Sequence, residues 1–243
     1  MELSAITDTI EKIRKSLAEK FGDALQCLIL YGSWAKGTAG EDSDIDLLAV
    51  LRKEDPEIRI SIADLSWVDR REITLLTCSE DEFRREKIPL YTAVKLDGKI
   101  ISGDIDRALN PDPPGVKYLE YFQKSREFES RKLEMAKELL EENFLSGIPE
   151  ICFVAAKHAV QSALAMKGEG YSSKVAVLLP LVRKYFGGDV AEIFEKLSDM
   201  YGRSAFSLVS VSREEAEEAI HQAGKIFETT FGPAPGMKRK PQD

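Results

Sequence analysis

Tyr31-Gly32-Ser33-Trp34-Ala35-Lys36-Gly37-Thr38-Ala39-Gly40-Glu41-Asp42-Ser43-Asp44-Ile45-Asp46-Leu47-Leu48-Ala49-Val50 is the stretch whose reading decides the fold. An apolar run, Leu25 to Leu30, leads into it, and a second, Leu47 to Leu51, leaves it. The pattern predicts strand, turn, loop, strand. Side chains alternate along a strand, so Asp44 and Asp46 share a face, roughly 6–7 Å apart. Two neighbouring carboxylates repel and raise each other's pKa unless a positive charge lies between them. Divalent cations supply that charge, and the arrangement serves in-line phosphoryl or nucleotidyl displacement. Gly32 lets the backbone approach a ligand with no side chain in the way. Ser33 adds a hydroxyl, and nearby N–H groups can form an anion nest. The alternative is a hairpin with an acidic, solvated tip.

Gly32-Ser33, ten residues, then Asp44-Ile45-Asp46 resembles the signature of the DNA polymerase beta nucleotidyltransferase superfamily. Within it, the chain most resembles the minimal nucleotidyltransferases. The resemblance implies that Asp44 and Asp46 bind two magnesium ions and that Gly32 and Ser33 grip the triphosphate. It also implies a third carboxylate at the start of the third strand, usually Asp. Glu72, opening the run Glu72-Ile73-Thr74-Leu75-Leu76-Thr77, is the acid at that place. It is read as a metal ligand or proton acceptor, or as an exposed strand-end residue beside Arg70 and Arg71. Lys36 is read as a partner for phosphate or as a solvated loop lysine. Asp42 and Ser43 are read as shaping the turn.

Composition sets the outer bounds. The chain has 243 residues, 43% hydrophobic and 31% charged, enough for one large domain or two small ones. Net charge is −8, and most of the excess falls in residues 1–104. Phosphate contacts need a basic face, so a nucleic-acid partner is not expected. No apolar run approaches a membrane span, and the N-terminus lacks a leader pattern. Cys27, Cys78 and Cys152 show no CxxC spacing, which argues against a zinc site or a disulfide framework. A cytoplasmic protein is expected.

Residues 2–21 read as an amphipathic helix, with Ile6, Ile10, Ile13 and Leu17 inward and Gly22 as its stop. Residues 55–69 read as a second helix. Ser79 is an N-cap for a short helix with acids in its first turn. A helical turn is expected from Pro89 to Val94, and Asp97-Gly98 carries a hairpin signal within Lys95–Ile101. Asn110-Pro111-Asp112-Pro113-Pro114-Gly115 is the clearest linker. Beyond it the pattern is helical. Helices are expected over Tyr118–Phe144 (inner stripe Leu133, Ala136, Leu140, Phe144), Ile151–Lys167, Ser173–Phe186 and Val190–Tyr201. A fifth opens at the capping box Ser212-Arg213-Glu214-Glu215 and runs to Phe231. The residues from Gly232 onward read as a disordered tail.

The expected fold is α+β: a polymerase-beta-like domain with a small mixed sheet over 1–109, a linker at 110–114, and an all-α antiparallel bundle over 115–231, with 232–243 as tail. The helix order, the alanine-rich second helix and the closing Val-Ser-Val-Ser-Arg-Glu-Glu-Ala-Glu-Glu-Ala pattern resemble the HEPN domain. Ribonuclease members of that group carry Arg, four to six residues, then His. Neither His158 nor His221 has an Arg at that spacing before it. His158 reads as a core or interface residue and His221 as surface.

The two resemblances together imply a magnesium-dependent nucleotidyltransferase. It would move a nucleoside monophosphate, AMP from ATP, to an unidentified hydroxyl, with the helical domain contributing to acceptor binding and to a homodimer. The alternatives are a toxin–antitoxin-like regulatory module acting on a protein, and a nucleotide-binding module without turnover.

Overall fold

The computed structural model describes residues 6–40, 43–53, 67–68, 71–206 and 210–232. It divides into two compact units, Met1–Asp112 and Pro113–Asp243. The first is α/β mixed in content and the second is helical among its described residues, an α+β chain.

The first unit opens with helix α1, Thr7–Phe21. Its apolar residues recur at three and four, so Ile10, Ile13 and Leu17 fall on one stripe, and all three are buried. A single 3-10 turn, Gly22–Ala24, delivers the chain to β1, Leu25–Tyr31. Helix α2, Gly32–Lys36, follows, then β2, Ile45–Leu51. Two strands complete the far side of the sheet: β3, the two-residue Trp67–Val68, and β4, the nine-residue Arg71–Ser79. Helices α3, Glu80–Arg85, and α4, Pro89–Asp97, precede β5, Lys99–Gly103.

The strand order is β3-β4-β2-β1-β5. β1 pairs antiparallel with β2 and with β5, while β2 and β4 run parallel. Strands β1 and β2 are central, and their continuous apolar runs follow from burial on both faces. Leu28, Leu30, Leu47 and Ala49 share one cluster with the α1 stripe and Trp34.

Several expectations change here. The helix expected over 55–69 lies outside the described residues, except that Trp67 and Val68 pair as a strand with Glu72 and Arg71. Asp97-Gly98 does not turn a hairpin. α4 continues to Asp97, and β5 then pairs with β1. The reason is packing: a Cβ on Gly98 would stand 2.5 Å from the Val94 carbonyl oxygen and 2.8 Å from Ile29 Cγ2. Glycine there lets a helix end press against a strand. The Ser79 cap is present, with Glu82 completing a capping box.

The second unit comprises α5, Pro114–Lys117; α6, Leu119–Glu141; α7, Ile148–Met166; α8, Val175–Phe186; α9, Gly188–Phe206; and α10, Arg213–Phe231. α7 is apolar on most of its circumference, which is what a central helix requires, and it packs on α6, α9 and α10. Phe153, Phe194, Leu197, Ile226 and Phe227 fill the core with its alanines. Ser212 and Glu215 form the expected capping box. Phe144, expected on the inner stripe of α6, is 66% exposed, because the helix ends at Glu141 and Asn143 turns with φ +62°. α9 starts at Gly188, where a break was expected, and runs past Tyr201 to Phe206. The residues after Gly232 lie outside the described ones.

Candidate active site

The site grows from the end of β1. Tyr31 is the last β1 residue and pairs with Asp46 on β2. The chain turns at Gly32, with φ +70°, and enters α2. Thr38 N–H donates to the Ser33 carbonyl at 2.9 Å, and Gly37 closes the helix with φ +74°. Trp34 is buried, and its indole N–H donates to the Ser43 carbonyl at 3.3 Å. Ser43 Oγ accepts from Gly40 N–H at 2.9 Å. Trp34 and Ser43 thus fasten the loop to the start of β2, and sequence reading assigned neither that role in full.

Asp46 lies over Gly32. A Cβ built on Gly32 would stand 2.0 Å from Asp46 Oδ2 and 2.8 Å from its Cγ. The glycine is therefore required twice, by its left-handed φ and by the carboxylate above it. Asp44, two residues earlier, accepts a 3.1 Å hydrogen bond at Oδ2 from Thr74 Oγ1. Thr74 is in register with Asp46 on the parallel neighbour strand. Both carboxylates are partly exposed, one held by β4 and the other seated against the β1–α2 turn.

Glu72 is exposed on β4 and pairs with Trp67 on β3. By parallel register it stands beside position 44 rather than position 46. Thr74 is the residue that the sequence reading missed. Residues 72, 74 and 76 alternate onto one face, so strand periodicity was the available signal. Lys36 ion-pairs with Asp97 at 3.0 Å, both about half exposed. An exposed pair of this kind contributes little and exchanges readily. Ser33 is half-buried beside Gly32.

Carboxylate oxygens are hard donors that suit magnesium. Among the described residues, no three His, Cys, Asp or Glu side chains converge closely enough to hold a metal ion. Magnesium commonly takes one or two carboxylates and completes its shell with water and substrate phosphate. Asp44 and Asp46 fit that pattern. Cys27 and Cys152 do not belong to the site: burial pushes their thiols up, to about 11 and about 12.

Residues 10–96 match the nucleotidyltransferase domain family, and residues 129–232 match the HEPN domain family. A protein of Methanocaldococcus jannaschii, named provisionally as a protein adenylyltransferase, is 42% identical over 60 residues. That stretch is 25% of this chain, and it spans only 40% of the relative. Among solved structures, a nucleotidyltransferase-like protein from Exiguobacterium sibiricum superposes over 90% of this chain and 75% of its own, at TM-score 0.41 and 12% identity. The spectinomycin adenyltransferase AAD(9) from Enterococcus, solved with ATP and spectinomycin, covers 91% of this chain and 98% of its own, at TM-score 0.49 and 14% identity. The two family matches together give this chain a nucleotidyltransferase domain followed by a C-terminal HEPN domain.

Proposed function

We propose that the protein transfers AMP from ATP to a hydroxyl group, with magnesium as cofactor. One observation carries the reading: Asp46 is seated over a glycine turn that has no room for a side chain, and Asp44, two residues before it, is held by Thr74 on the neighbouring strand. Asp44 and Asp46 would hold the metal, which would supply neutralising charge for the triphosphate and acidify the acceptor hydroxyl. Gly32 makes room for Asp46 over the turn, and the backbone there and the Ser33 hydroxyl are offered to the phosphates. Lys36 reaches phosphate by leaving Asp97. Thr74 keeps Asp44 in one orientation. Glu72 serves as the third carboxylate, accepting the acceptor's proton. The acceptor oxygen bonds to the alpha phosphorus, the bond to the bridging oxygen breaks, and pyrophosphate leaves.

The acceptor is read as a protein hydroxyl, because of the 42% identity to a relative named for protein adenylylation. Acceptor recognition is assigned to the helical unit, which also forms a homodimer, to be checked by light scattering. A cytoplasmic setting fits an ATP-consuming enzyme.

The test is transfer of label from alpha-labelled ATP, with pyrophosphate release followed in parallel. Asp44→Asn and Asp46→Asn are each expected to lower transfer by about 10³-fold or more, since a metal site supplies several kcal/mol. Unchanged transfer in both variants removes the reading. Tight nucleotide binding by the wild type with no pyrophosphate release would favour a binding module instead.

A further inference from the structure

The helical unit holds a second cluster of charge. Glu129 on α6 is nearly buried, its side chain 4% exposed. Its Oε1 lies 3.1 Å from His158 Nδ1 on α7. Lys132 Nζ lies 2.9 Å from Glu129 Oε2, without the alignment of a hydrogen bond, and 3.3 Å from His158 Nδ1. The carboxylate thus faces Nδ1 from the inside. His158 itself is 40% exposed, which leaves Nε2 for the outside. Of the two placements expected from sequence, core or interface, the exposure excludes the core.

Lys157 adjoins His158 on α7 and is half-buried. Burial, then the nearby charge of Lys132, lowers its pKa. Its ammonium lies 5.5 Å from the Phe153 ring centroid. Among the described residues, no carboxylate pairs with it. One buried carboxylate therefore stands behind two lysines and an imidazole. Pairing Glu129 needs a single cation, so the cluster carries surplus positive charge in a chain of net charge −8. A partly desolvated cation without a counter-ion is costly, and such groups gather where a ligand completes them.

We propose that this face of α6 and α7 binds a phosphoryl group, with Lys132 and Lys157 as counter-charges, His158 in its doubly protonated form donating to the anion from Nε2–H, and Glu129, which accepts from Nδ1–H, as the positioning residue behind it. Two ammonium groups and an imidazole match a phosphate dianion better than a monovalent carboxylate. Its source is inorganic phosphate or a small phosphomonoester. A polynucleotide is disfavoured because the acidic chain lacks the extended basic face that a phosphate backbone requires.

The chain has two histidines, so imidazole NMR tests this directly. His221 is exposed and serves as an internal reference, assigned with His221→Gln. The protein carries Asp44→Asn and Asp46→Asn together, to separate this cluster from the first site. Inorganic phosphate, AMP and a single-stranded RNA oligonucleotide are titrated separately at fixed pH. The expected result is a saturable shift of His158 alone with phosphate and with AMP, weakened about tenfold by Lys157→Gln or Lys132→Gln and restored by Lys157→Arg. No His158 shift, a shift with RNA only, or a shift unchanged in the double Lys132→Gln, Lys157→Gln variant overturns the proposal.

Discussion

Lys95 in the sheet unit is wholly out of water and Lys157 in the helical unit is partly so, and their surroundings differ. Lys95, in the sheet unit, is 1% exposed at its side chain. Its ammonium donates to Glu86 Oε1 at 3.0 Å, to the Arg84 carbonyl at 3.0 Å and to the Ala108 carbonyl at 2.8 Å. Glu86 is in turn satisfied by Asn110 N–H at 2.7 Å and by Thr92 Oγ1. Lys157, in the helical unit, has an aromatic ring and a second lysine for neighbours. A buried charge with all its donors used is a structural fastening, here tying residues 108–110 back onto α3 and α4. A half-buried charge without a counter-ion points outward, to something that binds.

The largest effect expected from this contrast is on Lys95. Lys95→Met leaves Glu86 as a buried carboxylate that has lost its cation, and the cost of breaking such a pair is about 3–5 kcal/mol. The loss should fall on the sheet unit. Calorimetry that resolves two transitions should show the first moved and the second in place. Equal loss in both would mean that the units do not melt separately.

The same contrast explains what could be read from the chain alone. The sheet site was legible because its geometry is written in backbone rules. Alternation places Asp44 and Asp46 together, and Gly32 marks a turn that only glycine can make beside a carboxylate. Alternation puts Thr74 on the face of Glu72, but its partner Asp44 is reached only across the parallel β2–β4 pairing, whose register periodicity does not give. The helical cluster was not legible. Glu129 and His158 are on different helices, and which faces meet depends on how α6 packs against α7. Phe144 was misplaced for a related reason: periodicity gives a face but not the turn at which a helix stops.

A pair of glycines sharpens the reading of the sheet site. Gly32 and Gly37 both have left-handed φ, +70° and +74°. A Cβ at Gly37 would meet nothing within 4 Å, whereas one at Gly32 collides with Asp46. Gly37→Ala should therefore cost only backbone strain, about 1–2 kcal/mol, with transfer unaltered. Gly32→Ala should add displacement of Asp46, and a misplacement of about 1 Å can lower a rate by about 10²-fold. Equal activity in the two variants would mean that the position of Asp46 over the turn is immaterial.

Thr74→Val should have a smaller effect. It removes one hydrogen bond to Asp44 and keeps the shape of the side chain, a change of about 0.5–1.5 kcal/mol. If Thr74 positions Asp44, transfer falls about tenfold and nucleotide affinity in the presence of magnesium falls with it, while thermal stability changes little. Thr74→Ser should restore most of both. A variant with normal turnover would leave the hydroxyl a bystander.

Lys157→Met should have the least effect on stability, and its sign decides the contrast. The substitution removes a half-buried cation that repels Lys132 and places an apolar side chain of similar length in its position. Relief of desolvation favours the folded state, while loss of the contact with the Phe153 ring opposes it by about 0.5–1 kcal/mol. The two nearly cancel, so the helical unit should change by less than about 1 kcal/mol in either direction. That is several-fold less than Lys95→Met, although both substitutions remove a lysine ammonium from a desolvated place. Denaturant melts of the two variants, followed by calorimetry on the same samples, would measure the difference. A loss for Lys157→Met as large as that for Lys95→Met would show that Lys157 has a structural partner after all, and the phosphoryl site would lose its surplus charge.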